Sequence, residues 1–269
     1  MTRAGLILAG LFAVGRLPAA GGEAPAVSIA AASDLVFCLP ALHAEFAKGE
    51  PGVAVRATTG SSGNFFAQIT NGAPYDVFLS ADLSYPRALI AAGAAHEPSL
   101  TLYGVGRLVL WTQRTDLDPA GDLAAIVRNP SVRRLALANP AHAPYGRAAR
   151  EALQKLGVWA EAQPKLVLGD NIAQAAQFVE TRHADAGLVA LSLVLGTPAP
   201  GTGRWAEIPA HLHAPLEQGA VLTTRGAANP AAARYLAFLR SPAARVVFDR
   251  YGFRLPEPAA SAPGRPSPR

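Results

Sequence analysis

Strand-like and helix-like segments alternate along almost the whole chain of 269 residues, and this alternation constrains the fold more than any other feature. Short apolar runs that fit buried strands are separated by longer amphipathic stretches with helical spacing. Such an order is typical of α/β folds with a mainly parallel sheet. The predicted strands are residues 27–31, 53–58, 77–80, 107–112, 135–138, 186–191 and 219–224. The predicted helices are residues 35–48, 64–71, 85–92, 146–156, 172–181 and 230–251.

Two glycine-containing segments favour a division of the chain into two lobes. Residues 103–106 (Tyr-Gly-Val-Gly) precede one strand-like run, and residues 215–219 precede another. Both segments fit antiparallel hinge crossings, although glycine also serves ordinary turns. We predict a first lobe of residues 25–106 and 216–253, with residues 107–215 inserted as a second lobe.

Both ends of the chain differ in composition from its body. Residues 1–24 contain an early arginine, a short apolar stretch and then small residues, which are the features of a secretory signal peptide. The apolar stretch is too short to span a bilayer. We therefore expect an exported, periplasmic protein. Residues 254–269 are mostly Pro, Ala, Ser and Arg, which predicts a disordered tail.

Charge and cysteine content argue against several classes of function. The formal net charge is +5, but it falls to +2 once the charged residues of the two ends are set aside. The body shows no basic stripe interleaved with aromatic residues, so we expect no nucleic-acid partner. Cys38 is the one cysteine of the chain, which excludes an intramolecular disulfide. No zinc-type spacing is present, and we expect neither a directly coordinated metal nor a cofactor.

Two short serine turns carry the strongest functional signal. They are residues 31–34 (Ala-Ala-Ser-Asp) and residues 60–63 (Gly-Ser-Ser-Gly), and each links a strand-like run to a helix-like one. The first N–H groups of a helix lack internal partners and lie at the positive end of its dipole. Two such ends can hold an oxyanion without a cationic side chain. Taken alone, Ser33 is most simply an N-cap.

Two further helix entrances occur in the predicted second lobe. Residues 139–146 lead into a helix and include Tyr145, whose hydroxyl could donate a hydrogen bond or simply pack. Residues 169–172 lead into another helix, where Asp170 or Asn171 is the simplest cap. The chain thus has four helix entrances that could face one cleft.

Taken together, these segments resemble the periplasmic molybdate-binding proteins of ABC transporters. The resemblance extends from residue 27 to residue 253, and the order of its segments is more specific than any one of them. The segments that carry it are residues 31–33, 60–63, 68–82, 106–111, 139–140, 143–146 and 250–253.

The resemblance implies the two-lobed, type II periplasmic-binding-protein fold, with two hinge crossings and an oxyanion held between the lobes. It implies a monomer without a cofactor that delivers molybdate or tungstate to a membrane permease. Ala190 stands where some members of the family have a ligand tyrosine, and Tyr145 could replace that hydroxyl. The implied ligand residues are Ser33, Asp34 through its N–H, Ser61, Ser62, Tyr145 and Ile172 through its N–H.

The choice of anion stays open at this point. Molybdate, tungstate and sulfate are dianions with no proton to donate, so a site made of donors suits them. Phosphate keeps a proton and would benefit from a carboxylate acceptor, for which Asp34 and Asp170 are candidates. We expect these two carboxylates to cap helices or face outward, because an ionised carboxylate would repel a buried dianion. A phosphate- or sulfate-binding protein of the same fold is the alternative.

A serine hydrolase is the rival class of function, whereas our main prediction is a binding protein that is not an enzyme. Ser61 or Ser62 could act as the nucleophile, with His142 as the histidine nearest to the predicted cleft. The sequence lacks the Gly-x-Ser-x-Gly pattern, because Asn64 occupies the position of the last glycine. An anion-sensing protein without a transporter would carry the same site residues.

Overall fold

Two five-stranded sheets, each covered by helices, form the two lobes of the protein. The computed structural model describes residues 25–197 and 203–255. The strands are β1 (Ala26–Ala32), β2 (Ala54–Gly60), β3 (Val77–Ser80), β4 (Thr101–Gly106), β5 (Leu108–Thr112), β6 (Leu135–Ala138), β7 (Leu166–Gly169), β8 (Ala186–Ala190), β9 (Arg204–Glu207) and β10 (Leu216–Leu222).

Eleven α-helices and four short 3-10 helices connect the strands within the described ranges. The α-helices are α1 (Leu39–Gly49), α2 (Ser62–Thr70), α3 (Ser84–Ala91), α4 (Leu123–Arg128), α5 (Pro144–Lys155), α6 (Trp159–Ala162), α7 (Ile172–Glu180), α8 (Leu191–Gly196), α9 (Thr224–Ala227), α10 (Pro230–Phe238) and α11 (Pro242–Arg250). The 3-10 helices are Ser33–Leu35, Glu97–Ser99, Gln163–Lys165 and Ala210–Leu212. None of these helices is long and apolar enough to cross a membrane.

The first sheet has the strand order β2-β1-β3-β10-β4. Strand β1 runs parallel to β2 and β3, whereas β10 runs antiparallel to β3 and β4. The register pairs Ala32 at the end of β1 with Gly60 at the end of β2. Because parallel strands end at the same edge of a sheet, the two serine turns that follow lie side by side.

The second sheet has the order β7-β6-β8-β5-β9 and repeats this arrangement. Strand β6 is parallel to β7 and β8, and β5 is antiparallel to β8 and β9. Ala138 at the end of β6 pairs with Gly169 at the end of β7. The two helix entrances of this lobe therefore also share one sheet edge.

The chain crosses between the sheets at two places among the described residues. Strand β4 of the first sheet ends at Gly106 and β5 of the second begins at Leu108, so the first crossing falls at Arg107. The return crossing lies between Glu207 of β9 and Leu216 of β10. The predicted α/β, two-lobed fold is confirmed, whereas the assignment of whole segments to the lobes stays a prediction.

Each lobe has its own apolar core. The first lobe packs α1, α10 and α11 against its sheet, with Leu42, Tyr235 and Phe248 fully buried. The second lobe packs around Trp111 and Leu137, which are buried under α5 and α7. The second-lobe cluster also reaches Ala32, Ala81 and Leu216 at the edge of the first sheet, so apolar packing continues across the interface between the lobes.

We predicted a single helix over residues 230–251, but the structure has two helices there. Helix α10 ends at Phe238 and α11 begins at Pro242, whose ring cannot continue the preceding helix. The Ser241 hydroxyl accepts a hydrogen bond from the backbone N–H of Ala244, at 3.2 Å, and so caps α11.

Three strands of the structure, β4, β7 and β9, were not predicted from the sequence.

The end of the folded region also differs from the prediction. Arg254, which we placed in the tail, forms a β-bridge with Val105, and its guanidinium lies 2.6 Å from a carboxylate oxygen of Glu207. Arg254 therefore belongs to the folded structure, beside the chain crossings. Leu255, also placed in the tail, packs against the first-lobe core. The predicted signal peptide and residues 256–269 of the predicted tail lie outside the described residues.

Gly146 in the first turn of α5 allows this helix to lie against the end of β6. A Cβ atom built on Gly146 would come within 2.2 Å of the carbonyl oxygen of Ala138. We expect Gly146→Ala to lower the free energy of unfolding by about 1–3 kcal/mol, measured by urea denaturation, because the backbone must shift. The matched control is Gly49→Ala at the end of α1, where nothing lies within 4 Å. Equal stability of the two variants would contradict this account.

Candidate functional site

The carboxyl edges of the two sheets face each other, and buried polar side chains gather where they meet. Ser33, Ser61 and Ser62 from the first lobe and Tyr145 from the second are all less than a twentieth exposed. Hydrogen bonds cross between the lobes from each of the two serine turns. The lobes are thus in direct contact around a polar centre.

Ser33 does not cap a helix, which corrects its simplest interpretation. The N-cap position of the 3-10 helix Ser33–Leu35 is Ala32, and no side-chain capping bond forms there. The Ser33 hydroxyl instead accepts a hydrogen bond from the backbone N–H of Ala173, at 3.3 Å. Ala173 lies in the first turn of α7, so Ser33 connects the two lobes at a helix N-terminus.

Ser62 is the first residue of α2, and its hydroxyl accepts a hydrogen bond from the backbone N–H of Ala81 at 3.0 Å. This contact fixes the hydroxyl oxygen and leaves its proton for another acceptor. Ser62 therefore offers a neutral donor at the positive end of the α2 dipole.

Ser61 has a different role from its neighbour, because its hydroxyl docks onto the other lobe. It donates to the backbone carbonyl of His142 at 2.7 Å and lies 2.9 Å from the imidazole Nδ1 of the same residue. The N–H of Gly63 donates to the same carbonyl at 2.9 Å. A Cβ atom on Gly63 would come within 2.7 Å of this carbonyl oxygen, so the close approach requires glycine.

Asp34 is neither a cap nor an outward-facing carboxylate, and that expectation is wrong. It is fully buried, and one carboxylate oxygen, Oδ2, accepts a hydrogen bond from the Gln218 amide at 2.5 Å. The Ser192 hydroxyl of α8 donates to the Asp34 carbonyl at 2.7 Å. The 3-10 turn draws Asp34 inward, and contacts from the second lobe cover it.

Gln218 of β10 joins Asp34 to Tyr145. Its Nε2 lies 3.2 Å from the Tyr145 hydroxyl as well as bonding Asp34, and its Oε1 accepts from the Tyr103 hydroxyl at 2.7 Å. A Cβ atom on Gly106 would meet the Tyr145 hydroxyl oxygen at 2.2 Å. Gly106 therefore makes room for this network, besides lying at a chain crossing.

Burial dominates the electrostatics of the network. It raises the pKa of Asp34 from 3.8 to about 6, although hydrogen bonds from Gln218 and Tyr145 oppose the shift. Burial and the nearby Asp34 charge also raise the pKa of Tyr145 well above its usual value. The second Asp34 carboxylate oxygen, Oδ1, is buried and has no hydrogen-bond partner among the described residues.

At the fourth helix entrance, Asn171 is the N-cap of α7, as predicted. Its side-chain oxygen accepts a hydrogen bond from the backbone N–H of Gln174 at 3.1 Å. Asp170 is exposed. Ile172 is the first residue of α7, so its N–H belongs to the first turn, where helices lack internal acceptors.

Ala190 is buried at the end of β8 and has no side-chain donor.

A second set of contacts across the cleft escaped sequence analysis. Arg147 of α5 forms an ion pair with Asp82, donates to the Tyr85 hydroxyl at 3.0 Å, and places its guanidinium 5.0 Å from the centre of the Tyr85 ring. The Tyr85 hydroxyl also lies 3.3 Å from the carbonyl oxygen of His142. These residues hold the lobes together beside the polar centre. The sequence did draw attention to the Pro-Tyr-Gly segment, residues 144–146, which directly precedes Arg147.

The proximity of Ser61 and His142 bears on the hydrolase alternative. A nucleophilic serine must give its proton to the histidine ring, and a carboxylate must orient that ring. Here the Ser61 proton is directed to a backbone carbonyl, and no carboxylate hydrogen bond to His142 occurs among the residues that the structure describes. The pair is better explained as a contact between lobes.

The raised pKa of Asp34 makes the stability of the protein depend on pH. Between pH 3.8 and about 6 the folded state binds more protons than the unfolded state, so the free energy of unfolding falls as the pH rises through this window. Asp34→Asn removes the buried charge. We expect this variant to gain about 1 kcal/mol relative to the wild type between pH 5 and pH 7.5, in urea denaturation.

The control for this measurement is Asp170→Asn, which replaces an exposed carboxylate of the same cleft. Its stability relative to the wild type should be the same at pH 5 and pH 7.5. A pH-independent difference for Asp34→Asn would contradict the burial of an ionisable group at this position.

Comparisons with known proteins agree on one family. A family model described as bacterial extracellular solute-binding protein matches residues 27–254. The molybdate-binding protein ModA of Rhodobacter capsulatus is 41% identical over 239 residues, covering 88% of this chain and 90% of the relative. ModA of Azotobacter vinelandii is 39% identical over 241 residues, covering 89% and 94%.

A solved structure shows the same arrangement of lobes. The periplasmic molybdate-binding protein of Azotobacter vinelandii superposes with a TM-score of 0.80 at 34% sequence identity, covering 86% of this chain and 100% of that chain. The family match spans both lobes and both crossings. The chain therefore belongs to the family of bacterial extracellular solute-binding proteins, in which it groups with the molybdate-binding proteins.

Proposed function

We propose that this protein captures a tetrahedral oxyanion, most favourably molybdate or tungstate, between its two lobes. The observation that carries the proposal is the meeting of helix N-termini and neutral hydroxyl donors where the two sheet edges face each other. No lysine or arginine is among the buried residues that the structure describes. Such a site recognises a fully ionised oxyanion through N–H and O–H donors, without a counter-ion.

The proposed ligand groups come from both lobes. The first lobe contributes the hydroxyls of Ser33 and Ser62 and the N–H of Asp34. Ser61 is a neighbouring residue of this set. The second lobe contributes the N–H of Ile172 and the hydroxyl of Tyr145. Since each lobe holds only part of the set, all donors are satisfied only when the lobes close. The contacts of Ser61 and Arg147 across the cleft support a closed state of this kind.

Relatives named molybdate-binding proteins support molybdate over the other anions. We propose that the protein acts in the periplasm after export and delivers its anion to an ABC transporter permease, which recognises the closed lobes. We further propose that it acts as a monomer and is not an enzyme, because its relatives are named as binding proteins and Ser61 is engaged by a backbone carbonyl.

Calorimetric titration of the exported form with molybdate, tungstate, sulfate and phosphate tests the proposal. We expect tight one-to-one binding of molybdate and tungstate, with sulfate and phosphate much weaker. Tight binding of phosphate with none of molybdate would overturn the assignment and favour a phosphate-binding protein. Turnover of ester or phosphoester substrates that is lost in Ser61→Ala would instead revive the hydrolase alternative.

Replacement of Ser62 by alanine tests the ligand set. The change removes one donor to a charged acceptor, so we expect the free energy of molybdate binding to weaken by about 1.5–3 kcal/mol, which is roughly 10- to 150-fold in Kd. The control is Ser131→Ala at an exposed site of the second lobe, which should leave Kd unchanged. Thermal unfolding of both variants shows whether the loss of the Ala81 contact affects folding. An unchanged Kd in a folded Ser62→Ala protein would exclude Ser62 as a ligand.

A further inference from the structure

Asp34 places an ionisable side chain beside the proposed anion site, because it follows Ser33 directly and its carboxylate shares the Gln218 amide with Tyr145. Its Oδ2 is held by the Gln218 amide, whereas Oδ1 is buried without a partner among the described residues. No ion pair within the described ranges includes Asp34. The polar and titratable groups that face it are Gln218 of β10, Tyr145 of α5, Tyr103 of β4, Cys38 ahead of α1, and Ser192 of α8 on its carbonyl.

The Tyr145 hydroxyl belongs to the same hydrogen-bond network as Asp34 and is also a proposed ligand of the anion. Its oxygen accepts a hydrogen bond from Gln218 Nε2 at 3.2 Å, and the same Nε2 bonds the Asp34 carboxylate. The charge of the nearby Asp34 also raises the pKa of Tyr145. A tyrosine hydroxyl has one proton to donate. While Asp34 is ionised, its charge attracts that proton, because the carboxylate and the Tyr145 hydroxyl share the Gln218 amide. Once Asp34 is protonated, the carboxyl no longer competes for it, and Tyr145 can donate to an anion.

Charge repulsion acts in the same direction as this competition. An ionised carboxylate and a dianion in one desolvated cleft repel each other strongly. Closure of the lobes also removes water from Asp34, because Tyr145 and Ser192 of the second lobe cover it. Repulsion by the dianion and the loss of water both favour the neutral carboxyl of Asp34 when the cleft is closed around an anion.

We infer that capture of an oxyanion dianion by this cleft takes up one proton from solvent, and that Asp34 holds this proton. The inference rests on the proposed function and adds to it a coupling between anion capture and pH. The one bond that forms is the O–H bond of the carboxyl. Gln218 acts as a positioning residue, because Tyr103 fixes its amide and the amide fixes the carboxyl.

The pKa of Asp34 without a bound anion indicates the pH range in which the coupling should appear. With the lobes in contact and no anion present, burial outweighs the opposing hydrogen bonds and raises the pKa of Asp34 to about 6. A bound dianion raises the pKa of Asp34 further. The number of protons taken up on binding therefore grows as the pH rises above 6, where the anion-free protein has lost this proton. Affinity for the dianion should then fall with rising pH by up to about tenfold per pH unit.

Calorimetry in buffers of different ionisation enthalpy measures the proton uptake directly. We titrate the full exported protein with sodium molybdate at pH 7.5 in phosphate-free buffers, and repeat the titration between pH 6.5 and pH 8.5. The wild type should take up between about half a proton and one proton per anion. Asp34→Asn should abolish the uptake and flatten the pH dependence of Kd. The control, Asp170→Asn, should retain both.

The outcomes separate this inference from the function on which it rests. Tight molybdate binding with no proton uptake by the wild type would overturn the inference and leave the proposed function standing, even if Asp34→Asn failed to fold. Uptake that persists in Asp34→Asn would overturn the assignment to Asp34. Failure of all four anions to bind would overturn the proposed function, and this inference with it.

Discussion

The docking of two sheet edges, each carrying helix N-termini, is the constraint on which the rest of this structure depends. Buried N–H groups need acceptors, and burial without them costs about 1–3 kcal/mol for each group. Here some of the acceptors come from the opposite lobe, since Ser33 accepts from Ala173 and the His142 carbonyl accepts from Gly63. A tetrahedral oxyanion offers acceptors to the donors that remain. The buried donors of the interface therefore have the most hydrogen-bond acceptors when the two lobes meet around an anion.

The same constraint explains why glycine and small residues cluster around the cleft. Gly63, Gly106 and Gly146 each leave no room for a Cβ atom, because a backbone carbonyl or the Tyr145 hydroxyl lies too close. Backbone atoms can approach one another only where side chains are absent. The glycines thus position donors rather than simply loosening the chain, even at the crossing where flexibility is also useful.

Much of this arrangement could be predicted from local sequence. The strands that precede the two serine turns were predicted from the sequence, and the parallel register seen in the structure places Ser33 beside Ser61. The four helix entrances are visible for the same reason. Gln218 could not be found in this way, because it lies 184 residues from Asp34 on an antiparallel strand with no motif. The burial of Asp34 also escaped prediction, since residues of the other lobe cover it.

In the function that we propose, one oxyanion lies between the two sheet edges and is held by donors of both lobes. Crystals grown with molybdate and measured at the molybdenum absorption edge test it most directly, because anomalous scattering locates the metal without reference to the protein. We expect one strong peak in the cleft, with oxyanion oxygens within hydrogen-bond distance of the Ser62 hydroxyl and the Ile172 N–H. A peak outside the cleft, or one contacted by a single lobe, would contradict it.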